Sequence, residues 1–210
     1  MLYQTEGIVL SQNDLGEFDR IVTILTRDEG LVSAVVKGAR RPLSKLSAQT
    51  QPFSRALFQL WRGKTLDRVT QASLCTSYPG IMTDYKKMVY AGFISELVST
   101  VLPPRERNEP VYDFLCKVLQ RLMGKDDPWA VAMWGICGIL AKTGFAPSFG
   151  ACAVCGSVPS SPLCFSAEAG GVVCAKCREE VRNPEELSWI SPGAAKTLDM
   201  LSESASSGPA

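Results

Sequence analysis

The hydrophobic pattern of this 210-residue chain changes its period once, at Pro79-Gly80, and that change constrains the fold more than any other feature. Before Pro79, β-branched residues alternate with other residues in short runs that predict five strands, at about 3–11, 18–26, 31–37, 56–62 and 68–76. Turn formers separate the runs, and the first break is predicted at Asn13-Asp14 with Gly16. Five short strands of this kind are typical of a small closed or partly open barrel.

After Gly80 the apolar residues recur every three to four positions, which is typical of helices. One apolar stripe covers 82–101, a second covers 111–122, and 129–140 is apolar on all sides. A further short helix is predicted over 191–202, with Ser191 as the N-cap and Pro192 at the first helical position, before a small polar tail. The sequence therefore predicts an α+β chain in which a barrel precedes a helical region.

Four of the eight cysteines form two Cys-x-x-Cys pairs, Cys152 with Cys155 and Cys174 with Cys177. This spacing is typical of a four-cysteine zinc site built on a β-hairpin. Four thiolates leave no open coordination position, so the predicted Zn²⁺ is structural. The alternative, a pair of redox dithiols, lacks the strand-to-helix context of a thioredoxin-like site.

The other four cysteines lie in apolar patterns. We expect Cys75, Cys116 and Cys137 to be buried thiols and Cys164, next to Phe165, to be a packing residue rather than a fifth ligand.

Histidine is absent, which excludes imidazole acid–base catalysis, imidazole-activated nucleophiles and histidine metal ligands. The composition is otherwise that of an ordinary globular protein, with 46% hydrophobic residues and a formal net charge of +1.

The longest apolar stretch, 128–141, is shorter than the roughly 20 residues that span a membrane. Because Met1 is followed by polar residues, we expect no secretory signal, no membrane partner and a cytoplasmic location.

Positive charge is concentrated between Lys37 and Arg68, where eight basic residues face one acid, Asp67, for a local charge of +7. Solvated surfaces usually mix signs, so this region predicts contact with a phosphate backbone. Trp61 is the candidate for stacking on a base, with Phe53 and Phe58 as further aromatic candidates. The basic candidates are Lys37, Arg40, Arg41, Lys45, Arg55, Arg62, Lys64 and Arg68, with Arg20 and Arg27 beside the second strand.

Five segments occur together in this order: Gly7-Ile8-Val9-Leu10, Asp19-Arg20-Ile21-Val22, Gly30-Leu31, Lys37-Gly38-Ala39-Arg40-Arg41-Pro42 and the Cys-x-x-Cys-Gly hairpin. Together they resemble the RecO family of bacterial DNA repair proteins. The resemblance implies an N-terminal OB-fold over 1–78, a helical domain over 79–149 with 184–203, and a zinc hairpin over 150–183. It also implies DNA contact by Lys37, Arg40 and Arg41, and zinc ligation by the four paired cysteines.

The resemblance further implies a recombination mediator associated with the nucleoid. Family members bind single- and double-stranded DNA, anneal complementary strands, and act with RecR to load RecA onto strands covered by single-strand-binding protein. Family chains usually continue past the segment that matches 191–202, so we expect a short or truncated form. Neither histidine nor a Gly-x-x-x-x-Gly-Lys-Ser/Thr phosphate loop is present, which favours a protein that is not an enzyme.

Two alternatives remain open at this point. The first is a zinc-stabilised protein-interaction scaffold whose basic surface is incidental. The second is a metal-independent nuclease that uses the carboxylates Asp14, Glu17 and Asp19, although these residue types are also typical of a hairpin turn.

Overall fold

The computed structural model describes residues 1–159 and 161–206 of the chain. They form two compact units, Met1–Ala132 and Met133–Ala210. No helix among these residues is both long and apolar enough to cross a membrane.

The first unit is built from five strands and the helices that follow them. Its elements are β1 (Leu2–Leu15), β2 (Asp19–Thr26), β3 (Gly30–Val36), α1 (Lys45–Gln49), β4 (Arg55–Trp61), β5 (Asp67–Thr76), α2 (Pro79–Met82), α3 (Tyr85–Val101) and α4 (Glu109–Met123). Helix α5 (Pro128–Thr143) runs from this unit into the second. The predicted change from strands to helices at Pro79 is confirmed.

The five strands close into a barrel in the order β1-β2-β3-β5-β4. All neighbouring pairs are antiparallel except β3 and β5, which pair in parallel at Ala34–Asp67 and Val35–Arg68. This is the strand arrangement of an OB-fold. Its inward side chains form a continuous apolar core that includes Val9, Val22, Ile24, Val32, Val36, Phe58, Leu60 and Val69.

Strand β1 is longer than predicted because it pairs with two neighbouring strands. Its first half pairs with β4 and its second half with β2, and the register shifts between Val9 and Ser11, where a bulge bends the strand. The break predicted at Asn13-Asp14 is wrong, since these residues pair with Ile21 and Arg20. The turn lies instead at Gly16, whose φ of 62° suits glycine.

The segment between α3 and α4 ties the helices to the barrel within the first unit. The Arg105 N–H donates to the Leu31 carbonyl at 3.0 Å. The Arg105 guanidinium also donates to Asp67 at 2.7 Å, and Asp67 accepts from the Tyr3 hydroxyl as well. Further along, the Tyr112 hydroxyl donates to Glu6 at 3.0 Å. The barrel and α4 therefore share polar contacts.

The two predicted helical stripes have different outcomes. Helix α4 buries the predicted face, including Phe114, Leu115 and Leu122. The helix predicted over 82–101 is confirmed as α3, but Tyr85, Val89 and Phe93 of its apolar stripe are exposed. The buried face of α3 is formed by Ala91, Ile94, Ser95 and Val98, and small residues there allow close approach to β1 and α4.

The second unit contains a small sheet in the order β7-β6-β8, made by β6 (Leu163–Ser166), β7 (Gly171–Val173) and β8 (Ser188–Ile190). The predicted hairpin corresponds to β6 and β7, whereas β8 was not predicted. Helix α6 (Pro192–Ser206) follows, and the Ser191 hydroxyl accepts from the Ala194 N–H at 3.1 Å, which confirms the predicted cap. The helix continues beyond 202 into the predicted tail, of which 207–210 lie outside the described residues.

The cysteines outside the two pairs are free thiols in different environments. Cys137 and Cys164 are buried and Cys116 is partly buried. The expectation for Cys75 is wrong: it is exposed, near the end of β5, where the strand pairs only with β4.

Candidate nucleic-acid interface and metal centre

The sulfur atoms of Cys152, Cys155, Cys174 and Cys177 lie within 4.8 Å of one another. A tetrahedral ion with metal–sulfur bonds of about 2.3 Å requires sulfurs roughly 3.8 Å apart. The Cys155 and Cys174 sulfurs are 3.9 Å apart, close to that separation and well beyond disulfide length. The four cysteines therefore form a metal-binding cluster whose sulfur separations suit tetrahedral coordination of one ion.

Local turns place these sulfurs. Gly156, with φ of 71°, follows the first pair, and Gly170, with φ of 72°, precedes β7. Gly171 is required for a different reason, because a Cβ there would lie 2.3 Å from the Ser148 carbonyl oxygen. Glycines at these positions let both turns close on the cluster.

Hydrogen bonds favour the thiolate form in the first pair. The Ser157 hydroxyl lies 3.0 Å from the Cys155 sulfur, and contacts with Ser157 lower the pKa of Cys155 to about 6. The Cys174 N–H donates to the Cys152 sulfur at 3.4 Å. The neighbouring Cys155 raises the pKa of Cys177, because the two sulfurs compete for one proton. An ion with a double positive charge would relieve that competition by binding all four as thiolates.

A second group of predicted residues meets at one end of the barrel, where the β1–β2 turn faces the loop after β3. We call Arg20, Lys37, Arg40 and Arg41 the barrel-end cluster. Asp19 accepts from the Lys37 ammonium at 2.6 Å and from the Gly38 N–H at 2.8 Å, and the contact with Lys37 lowers the pKa of Asp19. These bonds fix the start of the loop against β2.

The other three cations of the barrel-end cluster, Arg20, Arg40 and Arg41, lie beside the same β1–β2 turn. Arg40 donates to the Gly16 carbonyl at 3.1 Å and lies 3.4 Å from Asp14, which also pairs with Arg20 at 3.3 Å. Arg41 has no carboxylate within 4 Å among the described residues, and its guanidinium lies 5.3 Å from the centre of the Phe18 ring. Such exposed pairs contribute little to stability, so a phosphate can replace the carboxylates at small cost.

The strand register places two more of the predicted residues, Arg68 and Trp61, on the adjacent outer face of the barrel. Val35 pairs with Arg68, and Arg68 pairs with Trp61, so all three share the outer face of the barrel. Lys37 follows Val35 by two residues and continues the same face of β3. Arg68 makes no ion pair among the described residues, and Trp61 is 54% exposed. The barrel-end cluster is therefore continuous with Arg68 and Trp61.

The other basic candidates differ in whether an acid pairs with them. Arg27 pairs with Glu109 and Asp113 of α4, and Arg55 pairs with Glu6. Arg62 pairs with Glu29 and lies over the Tyr3 ring at 4.9 Å. Lys45 on α1 and Lys64 in the β4–β5 turn are exposed and make no ion pair among residues that the structure describes. Of the aromatic alternatives to Trp61, Phe53 and Phe58 are both buried.

Two of the three hairpin acids are engaged with cations. Asp14 and Asp19 pair as described above, and Glu17 is exposed beside them in the β1–β2 turn. Within 1–159 and 161–206, the four cysteines are the only group of three or more potential ligands close enough to hold an ion. Asp14, Glu17 and Asp19 therefore form no metal-binding cluster among the described residues.

Sequence comparison assigns this arrangement to a family. Residues 1–78 match the family model "Recombination protein O N terminal", and residues 82–207 match "Recombination protein O C terminal". The chain is 38% identical over 177 residues to the DNA repair protein RecO of Desulforudis audaxviator, which covers 84% of this chain and 71% of that protein. The chain belongs to the RecO family.

Further RecO proteins are similar over most of the chain. The DNA repair protein RecO of Symbiobacterium thermophilum is 37% identical over 205 residues, covering 95% of this chain and 79% of the relative. That of Thermobifida fusca is 41% identical over 181 residues, covering 84% and 74%. RecO membership assigns the chain a role in DNA repair and recombination, and the resemblance drawn from the sequence is confirmed.

The RecO N-terminal match spans the whole barrel, including the barrel-end cluster. Sequence reasoning did not single out Phe18, which lies directly against Arg41. Its signal was an aromatic residue in a turn otherwise made of glycine and acids, at Gly16-Glu17-Phe18-Asp19.

Proposed function

We propose that the chain is a non-enzymatic recombination mediator that binds single- and double-stranded DNA through the barrel-end cluster, Arg68 and Trp61. Neutralising the phosphates would let two complementary strands approach, and base pairing would then supply the specificity of annealing. With RecR, the chain would load RecA onto strands covered by single-strand-binding protein, in the cytoplasm and at the nucleoid.

The observation that carries the proposal is the convergence of Lys37, Arg40 and Arg41 beside the β1–β2 turn of an OB-fold in a RecO chain. In small barrels of this type, nucleic acids bind along a face bordered by loops. Contacts to phosphate from exposed cations give affinity without base readout, which is what annealing of arbitrary sequences requires.

We propose a structural role for the metal centre, with Zn²⁺ as the ion. Four thiolates in a tetrahedral arrangement are typical of zinc, and no ligand position would stay open for a substrate. The ion would hold the two cysteine turns and the sheet of the second unit together.

The test is fluorescence anisotropy with labelled single-stranded and duplex oligonucleotides, combined with an annealing assay. The triple variant Lys37→Glu, Arg40→Glu, Arg41→Glu should lose binding to both DNA forms and lose annealing. Its control reverses three exposed lysines of the helical segments, Lys86→Glu, Lys117→Glu and Lys125→Glu, for the same total charge change. Equal binding by both triple variants would reject the DNA surface and favour the protein-interaction scaffold.

A further inference from the structure

The tip of the β1–β2 hairpin presents an aromatic side chain to solvent. Phe18 is 43% exposed, and it follows Gly16, where an added Cβ would find no atom within 4 Å. The Gly16 side of the tip is therefore open to solvent. A ring that stays 43% exposed contributes less to folding than a fully buried one.

The backbone beneath this ring is nevertheless fixed. The Arg40 N–H donates to the Phe18 carbonyl at 3.0 Å. The next residue, Asp19, holds both the Lys37 ammonium and the Gly38 N–H. The ring is thus exposed but held in position, which lowers the entropic cost of placing a ligand against it.

A cation lies over the ring, and a cavity lies beside it. The turn at Gly38, closed by the Arg41 N–H donating to the Gly38 carbonyl at 3.1 Å, brings the guanidinium of Arg41 over Phe18. Phe18 and Arg41 both line a cavity of about 480 Å³, together with Lys37 and Gly38. A planar aromatic ring, a planar guanidinium and one further cation, Lys37, therefore border one recess.

We propose that Phe18 and Arg41 form a stacking platform for one unpaired base, so that the barrel-end cluster binds single-stranded DNA more tightly than duplex DNA. The proposal rests on the DNA-binding function proposed above. Lys37 and Arg40 contact the phosphates on either side of the base, while the ring contacts its face. A base within a duplex is already stacked on both faces and cannot offer one to Phe18 without unstacking. Phe18 is then the residue that determines strand preference.

The test compares Phe18→Leu, Phe18→Ala and Phe18→Trp in the full chain. Leucine keeps an apolar side chain but removes the aromatic face, and tryptophan restores one. Kd is measured by anisotropy for an oligonucleotide and for its duplex at one salt concentration, and melting temperatures verify that each variant folds. A second exposed aromatic, Phe93 on α3, provides the matched control Phe93→Ala.

Phe18→Leu and Phe18→Ala should weaken single-strand binding about tenfold, leave duplex binding within about twofold, and abolish the original strand preference. Phe18→Trp and Phe93→Ala should bind both forms as the original chain does. Unchanged single-strand binding by Phe18→Leu, or an equal loss for both DNA forms, would overturn the stacking platform. If the original chain binds neither form, the proposed function fails instead, so the two failures are distinguishable.

Discussion

Ion pairing divides the basic residues of the barrel into two groups at the scale of single residues. Arg27 and Arg55 are held by acids near α4, whereas Arg41 and Arg68 have no carboxylate within ion-pair distance among the described residues. The family resemblance implies Arg41, while Arg27, Arg55 and Arg68 are predicted from charge alone, and charge along a sequence does not show which acid will pair with each cation. Arg27 and Glu109 are 82 positions apart. Tertiary structure alone therefore separates structural cations from those available to DNA.

Asp67 is the only buried charged residue among those that the structure describes. Its side chain is fully buried and accepts hydrogen bonds from Arg105, Tyr3 and the Gly63 N–H. Replacing it by asparagine leaves the Arg105 guanidinium without a charged partner, so Asp67→Asn should lower the free energy of unfolding by about 3 kcal/mol. Chemical denaturation measures this, with the exposed Asp126→Asn as a control that should change it by less than about 1 kcal/mol.

The same residue predicts a pH dependence. Burial alone would raise the pKa of Asp67, but hydrogen bonds from Arg105, Tyr3 and Gly63 outweigh it and lower the pKa below 3.8. A carboxylate with a lowered folded-state pKa stabilises the protein fully above its ordinary pKa and loses that effect as the pH falls through the folded-state value. The stability difference between the original chain and Asp67→Asn should therefore be constant above about pH 5 and shrink below about pH 4. A difference that grows on acidification would contradict this.

Two glycines with the same backbone conformation should respond differently to alanine. Gly30 and Gly16 have φ of 66° and 62°, but a Cβ at Gly30 would lie 2.0 Å from the Glu106 carbonyl oxygen, while Gly16 is open. Gly16→Ala should cost about 1 kcal/mol from conformation alone. Gly30→Ala should cost about 3 kcal/mol, because the 103–107 segment must also move. Equal melting temperatures for the two variants would show that this close approach is not important.

At the scale of elements, the strands were predictable because each has one clearly apolar face, and the alternation of β4 and β5 locates them within one residue of the observed bounds. The full length of β1 was not predictable. Asn13 and Asp14 are polar residues typical of a turn, but they continue the hydrogen-bonded pairing with β2. In helix α3 the element was predicted correctly but its buried face was not. The regular apolar stripe lies on the exposed side, and the buried side includes Ala91 and Ser95. Periodicity locates an element more reliably than it identifies the buried face.

The metal centre gives a prediction for the elements around it. Removal of the ion by a strong chelator should increase amide hydrogen exchange at 148–190, where β6, β7 and β8 surround the cysteines, and leave exchange in β1–β5 unchanged. Elemental analysis of the untreated chain should give one zinc per chain, and Cys155→Ser should lose it. Cys75→Ser, which changes an exposed thiol outside the cluster, should retain it. A full complement of zinc in Cys155→Ser would reject the four-thiolate site.

At the scale of the whole molecule, the sequence predicted a barrel, a helical region and a cysteine hairpin in the correct order along the chain. The four-cysteine cluster was predictable because its ligands are paired locally and its spacing is restrictive. The proposed DNA surface was only half predictable, because register and loop geometry decide that Arg68 and Trp61 join Lys37 on one face. The division into parts at 1–78, 79–149 with 184–203, and 150–183 stays a prediction, since compactness does not show which parts fold alone.

The salt dependence of single-strand binding tests the central claim most directly, because it counts the phosphates that the chain neutralises. The logarithm of the binding constant should fall linearly with the logarithm of the salt concentration. Replacing Lys37, Arg40 and Arg41 by alanine should reduce the slope by about 2, whereas alanine at Lys86, Lys117 and Lys125 should leave it unchanged. A slope that is the same in both triple variants, or binding that does not depend on salt, would contradict the assignment of the barrel-end cluster to DNA.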